Sequence, residues 1–192
     1  MPPSTKYTPE LILEVAEELT REEGIGAITA RALASRLGCS TGPISSHFAS
    51  MEDLVAQLMD RIIARFVQAA GATGHPDPLL GAGIGWLRFA AEEPRLYEAL
   101  FLRPDTWHAK WGPVRLGLAK AMADHPRYGD LDDAVRFALV GRASIVLHGL
   151  GLEIWSGRLR TRDYERLIEE LARPVVDAAL VEGWSDDLHS AA

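Results

Sequence analysis

The chain has 192 residues, is 47% hydrophobic, and carries 27 acids against 20 lysines and arginines, for a net charge of −7. That is enough apolar material for a core, as one compact body or two small lobes, and the single cysteine excludes an intramolecular disulfide framework and fits a reducing cytosol. No uninterrupted apolar run reaches about 18 residues, which argues against a membrane span, and the opening MPPSTKYTPE has no apolar core of a secretory signal, so a cytoplasmic protein is expected.

Apolar residues recur with helical periodicity throughout and no segment alternates strictly, so the expected fold class is all-α. Thr8 and Pro9 open a first helix, with Ile12, Val15, Ala16 and Leu19 inward and Gly24 at its close. Thr29 caps a second helix with Leu33, Ala34 and Leu37 inward; Gly38 ends it by taking the left-handed conformation. Ser40 or Thr41 starts a third, with Ile44 and Phe48 at i and i+4 on its apolar side. This helix is too short to be stable alone. Its remaining face, Thr41, Gly42, Ser45, Ser46 and His47, is small and polar, the kind of surface that enters a DNA major groove and meets base edges. Ser50 caps a fourth helix, with Glu52 and Asp53 in its first turn and Leu54, Leu58, Ile62 and Phe66 as its stripe, so it should run to about residue 70 and link two lobes.

GATGHPDP, residues 71–78, is a break. A fifth helix follows over 79–92, and Pro94 opens a sixth carrying Leu96, Tyr97, Leu100 and Phe101. Prolines bound residues 104–113, with Trp107 and Trp111 between them, which predicts a short helix in a loop; a seventh helix is expected over 114–122. After the turn DHPRYGD come two long helices, 131–155 and 162–181, separated by SGRLRT, and a frayed tail. The domains expected are 1–50, a helix-turn-helix head, and 51–192, a helical regulatory part with helix 51–70 joining the two.

Charge is unevenly placed. Residues 29–50 contain Arg31 and Arg36 and no acid, whereas Glu10, Glu14, Glu17, Glu18, Glu22 and Glu23 crowd the first helix. The expectation is a locally positive reading head on an acidic body, with Lys6 and His47 adding to it. Cys39 reads as a small turn filler.

Several features at matching spacing carry a resemblance. They are the amphipathic LILEVAEELTREEG, then ITARALASRLGCS with its threonine, alanines and late glycine, then TGPISSHF, then SMEDL at the start of the fourth helix. Over roughly residues 9–60 the chain resembles the TetR family of bacterial one-component regulators. EEPRLYEALF and RASIVLHGLGLEIWSG further resemble the regulatory domain of the type marked by a His-Gly pair in a long helix. The resemblance implies a three-helix DNA-reading head, a helical regulatory lobe, a homodimer paired through its last two helices into a four-helix bundle, and operator DNA as partner. Of the DNA-binding candidates Thr29, Arg31, Arg36, Thr41, Gly42, Pro43, Ser45, Ser46 and His47, Thr29, Ser45, Ser46 and His47 can bond phosphates and Thr41 and Pro43 can touch base edges or thymine methyls, while Arg31 and Arg36 supply the positive charge and Gly42 the small surface; each polar residue can equally be a cap or a solvated group. Two positions depart from the family: Ser45 stands where tyrosine is common and Met51 where lysine is common, which removes two phosphate contacts.

The aromatic residues Trp86, Phe89, Tyr97, Phe101, Trp107, Trp111, Phe137 and Trp155 crowd residues 86–155. Each can be plain core; as a group they fit the apolar effector pocket among helices five to eight that the resemblance implies, with Phe89, Tyr97, Phe101, Trp107, Trp111 and Phe137 as lining and His108 and His148 as polar members, His148 being equally a core or interface histidine. Val135, Leu139, Arg142, Ala143, Val146, Leu147 and Leu150 on one long helix and Leu167, Leu171, Val175, Ala178 and Ala179 on the last are candidate dimer contacts, the alternative being packing inside one subunit. No P-loop, GxSxG, HExxH or cysteine cluster occurs, and neither a catalytic constellation, a metal site nor a cofactor is expected. The reading is a homodimeric repressor released by a small apolar effector. The alternative is a helical ligand-binding or scaffold protein with weak or lost DNA binding, which the thin polar helix would fit.

Overall fold

The structure is a computed structural model that describes residues 6–102 and 108–181, the side chains of residues 108, 109 and 181 excepted. Trp107 and the expected frayed tail lie outside the described residues. Among these, every regular element is helical: α1 Pro9–Glu23, a single 3-10 turn Ile25–Ala27, α2 Ala30–Leu37, α3 Gly42–His47, α4 Met51–Gly71, α5 Pro78–Glu92, α6 Pro94–Phe101, α7 His108–Ala121, α8 Asp133–Trp155, α9 Tyr164–Leu167, a π stretch Ile168–Ala172 and α10 Arg173–Val181.

Local chemistry sets most boundaries. Thr8 Oγ1 accepts the Leu11 N–H at 3.2 Å, with Pro9 in the first turn. Thr29 Oγ1 accepts the Ala32 N–H at 3.1 Å, and Gly38, at φ 66°, returns its N–H to the carbonyls of the last turn of α2. At α4 the cap is reciprocal: Ser50 Oγ accepts from Asp53 N–H at 3.2 Å, while Asp53 Oδ2 accepts from Ala49 N–H at 3.1 Å. Asp77 starts α5 by accepting from the N–H groups of Leu79 and Leu80 at 3.0 and 3.1 Å.

Two elements differ from expectation through proline. α7 begins at His108 and runs through Pro113, which gives up one backbone hydrogen bond near the helix start where a boundary was expected. The last long helix is divided by its π stretch directly before Arg173-Pro174. Pro174 cannot donate to the carbonyl four residues back and its ring crowds it, and the widened π turns fall where that conflict lies.

The chain forms two compact units. The first comprises residues 1–66 and 93–103. Its core joins Ile12, Ala16 and Leu19 of α1 to Leu33, Ile44, Phe48, Leu54, Leu58 and Ile62, and α6 packs on α1 with Leu96, Tyr97 and Leu100 buried. The second comprises residues 67–92 and 104–192. There α8 packs against α5, α7 and α10. By length and composition α8 is apolar enough to cross a membrane; Leu139, Val140, Ala143 and Leu147 are instead buried within this unit. α5 makes its close approaches through glycine: a Cβ on Gly85 would sit 2.5 Å from the Ala69 carbonyl oxygen and the Ala70 Cα at the end of α4.

Candidate functional site

In the first unit α2 and α3 form the helix-turn-helix. Ile44 and Phe48 are buried, so α3 is held by one face, and Thr41, Gly42, Ser45 and Ser46 are exposed on the other, with Pro43 and His47 half-buried. The hydroxyls are occupied but not spent. Thr29 Oγ1 accepts from the backbone as a cap and keeps its own O–H to donate. Ser45 donates to the Gly42 carbonyl at 3.1 Å and Ser46 to the Pro43 carbonyl at 2.8 Å, so each retains acceptor capacity and can rotate toward a phosphate or base edge.

The electrostatics differ from the sequence expectation at one residue. Arg36 lies 2.6 Å from Glu22 and 2.9 Å from Glu23, both at the end of α1. Its charge is balanced locally, and the positive charge of the motif falls on exposed Arg31. Lys6 sits over the Tyr7 ring at 5.2 Å just before α1. Met51, half-buried, is the first residue of α4, and the exposed Glu52 beside it is held below its usual range by the Ser50 hydroxyl and its own backbone N–H. The α4 N-terminus therefore carries acids where a cation was absent by sequence.

The expected pocket residues do not all belong together. Tyr97 and Phe101 lie in the first unit, 4.8 Å apart by ring centroid, with Phe66 5.3 Å from Phe101. Tyr97 is fully buried there. Phe89, Trp111, Phe137 and His148 belong to the second unit. In it Trp86 stacks on Trp111 at 6.4 Å, and the Arg115 guanidinium lies 4.4 Å over the Phe137 ring. Phe89 is buried and His148 half-buried. Trp107 and the His108 side chain lie outside the described residues.

Two charged clusters escaped sequence reasoning. In the second unit Tyr128 Oη donates to Asp77 Oδ2 at 2.8 Å, Arg127 approaches the same oxygen at 3.5 Å and also pairs with Asp177 of α10. Burial first, then the Asp77 carboxylate, pushes the Tyr128 phenol above its ordinary range. In the first unit Glu17 of α1 is buried among Arg21, Arg61 and Arg65. The Arg61–Arg65 spacing, one helical turn beside the apolar stripe of α4, was the available signal; nothing in the sequence named their partner.

Candidate dimer contacts also divide. Leu139, Ala143, Leu147 and Ala179 are 1%, 4%, 5% and 8% exposed, so they are used inside the protomer. Val135, Leu171 and Val175 remain exposed, and so does Ile145, which the sequence reading did not name.

Residues 12–58 match the model for bacterial regulatory proteins of the tetR family. Over 126 residues the chain is 26% identical to HTH-type transcriptional repressor KstR2 of Mycobacterium tuberculosis, covering 64% of this chain and 56% of that repressor. The match thus spans little more than half the length of this curated relative. In fold the chain resembles a TetR-family protein from Vibrio parahaemolyticus, with TM-score 0.62 and 18% identity over 88% of this chain and 97% of that one. It also resembles SmeT, the repressor of the Stenotrophomonas maltophilia multidrug efflux pump SmeDEF, with TM-score 0.57 and 20% identity over 91% and 89%.

Proposed function

The chain belongs to the TetR family of transcriptional regulators, and we propose that it acts as a homodimeric repressor that leaves its operator when a small, largely apolar effector binds the second unit. The observation that carries the DNA-binding part is α3: a short helix anchored by Ile44 and Phe48, with its polar face of Thr41, Ser45 and Ser46 open to solvent. In this reading Thr41, Gly42 and Pro43 meet base edges, while Thr29, Arg31, Ser45, Ser46 and His47 meet phosphates. Arg36 can join them only by leaving Glu22 and Glu23.

Homodimerisation draws support from the exposed apolar residues Val135, Ile145, Leu171 and Val175 on the last long helices. Pairing them would set two heads on one face of DNA, with half-sites about 34 Å apart. The effector draws support from the aromatic residues of the second unit, with Trp86, Phe89, Trp111 and Phe137 as first candidates for contact and His148 as a polar partner. An effector can release DNA only by binding better to the conformation whose heads do not fit the operator. Selection of bound fragments from the source genome, with and without a panel of apolar small molecules, tests the reading. Enrichment of discrete sequences that some panel member abolishes supports it; no enrichment under any condition refutes it.

A further inference from the structure

Between Leu37 and Met51 the chain has no arginine, lysine, asparagine, glutamine, aspartate or glutamate. Those are the side chains that tell bases apart by hydrogen bonding: arginine or lysine on guanine, asparagine or glutamine on adenine, a carboxylate on cytosine. α3 and the turns on either side of it own none of them. The arginine closest in sequence, Arg36 at the end of α2, lies 2.6 Å from Glu22 and 2.9 Å from Glu23.

The face that α3 leaves open holds hydroxyls and one ring. Ser45 and Ser46 donate to the Gly42 and Pro43 carbonyls at 3.1 and 2.8 Å, and Thr41 is exposed with no capping bond from its side chain. A hydroxyl both donates and accepts, and serine and threonine pair with any base edge, so these groups hold a base without telling which it is. Pro43 is of another kind. It lies half-exposed in the first turn of α3, directly after Gly42, which carries no side chain. It has no N–H and its ring is rigid, so it offers a base only van der Waals surface. The major groove displays one apolar group that fits such a surface, the C5 methyl of thymine.

We propose that this head specifies its operator through thymine methyl groups, with Pro43 as the specificity-determining contact. The inference rests on the DNA-binding reading above and gives that reading a base: each half-site presents a thymine where Pro43 docks. The chemistry recognised is a methyl group on a pyrimidine C5, which thymine shares with 5-methylcytosine. Thymine to uracil removes that methyl and leaves every hydrogen-bonding group of the pair in place. Burying one methyl is worth about a factor of four in affinity, so the loss is readable at a single position.

The test uses the full-length protein and a labelled duplex that it has selected from a random-sequence pool. Each thymine is replaced by uracil in turn, and binding is followed by anisotropy. At one or two positions per half-site the native protein should lose about fourfold in affinity, and elsewhere less than about 1.5-fold. At a sensitive position a 5-methylcytosine·guanine pair should bind about fourfold more tightly than cytosine·guanine. Pro43→Ala, checked for native helix content, should bind the thymine and uracil duplexes alike, because the partner of the methyl is gone. The methyl also alters duplex shape, and an effect of shape alone would persist in Pro43→Ala. That persistence overturns the proposal, as does a native protein indifferent to uracil at every position or to the methyl on cytosine. The scan on the native protein decides even if Pro43→Ala folds poorly. A native protein that selects no duplex defeats the regulator reading itself, whereas one that selects a duplex and ignores its methyl groups defeats only this inference.

Discussion

In the proposed function, Met51 and Arg36 are the residues that would weaken the hold of the head on DNA. A methionine opening α4 offers no charge to a phosphate, and Glu52 and Asp53 follow it in the first turn. If that turn lies against the DNA backbone, Met51→Lys adds one phosphate contact. It should tighten binding to operator and random duplexes alike and steepen the dependence of log affinity on log salt by about one unit. Thr41→Ala should instead change sequence preference more than salt dependence, because base contacts specify and phosphate contacts position. Titrations of both duplexes across a salt series decide it, and an unchanged slope for Met51→Lys in a protein that binds its operator would remove this docking geometry. The exposed and buried sides of α3 were legible in the sequence, since the i, i+4 pair Ile44 and Phe48 marks one of them. The state of Arg36 was not: its partners Glu22 and Glu23 are on another helix, and only folding brings them within 3 Å.

Helix caps were mostly legible, because Thr8, Thr29, Gly38 and Ser50 act on neighbours three or four residues away. Contacts between helices were not, and α5 shows why. Its glycines lower helix propensity, so Gly→Ala would be expected to stabilise by about 1 kcal/mol. At Gly85 the sign should reverse. An added Cβ meets backbone atoms of Ala69 and Ala70 at 2.5 Å, and backbone cannot rotate away. Gly85→Ala should destabilise by about 1–3 kcal/mol. At Gly83 the nearest atom, 2.9 Å away, is the Cδ1 of Ile168, a flexible tip, so Gly83→Ala should be near neutral. Urea unfolding of both variants checks the contrast.

The α1–α4 ion cluster makes a second prediction at this scale. Burial would raise the Glu17 pKa, but the hydrogen bonds from Arg61 and Arg21 and the charges of Arg65 and Arg61 outweigh it and hold the carboxyl below 4.5. A depressed folded-state pKa contributes stability that is present above the unfolded value and lost as pH falls through the folded one. The protein should therefore lose stability below about pH 4.5, as Glu17 gains a proton in the unfolded chain. Glu17→Gln should lower stability at neutral pH by roughly 2–3 kcal/mol, less than a fully buried pair because the arginines are a third or more exposed. The same substitution should flatten the acid limb. Circular dichroism melts from neutral to acid pH would expose the error if the limb were unchanged.

At the scale of the whole molecule, pairing through the last long helices is the proposal, and the candidate contacts that the sequence offered on them mix a buried and an exposed face. Apolar periodicity marks every apolar side alike, and a helix buried against its own protomer on one side and against a copy on another shows no clean stripe. The folded protomer shows which side is buried within it and which is left exposed. Ala143 is 4% exposed and lies in a helix packed on α5, so a charge there would disrupt the subunit and say nothing about pairing. Ile145 is 64% exposed, the largest exposure among the big apolar residues described, with Leu171 at 47% and Val175 at 39% on the last helix. In a lone protomer Ile145→Glu exchanges one solvated side chain for another and should alter stability by no more than about 0.5 kcal/mol. In a dry dimer interface the same charge is buried without a partner, once from each copy. Sedimentation velocity should then show a native dimer and a monomeric Ile145→Glu with unchanged helix content. Operator affinity should fall steeply in the variant, because a single head loses the second half-site and its effective concentration. A variant that stays dimeric while keeping its fold would place the pairing surface elsewhere on the molecule.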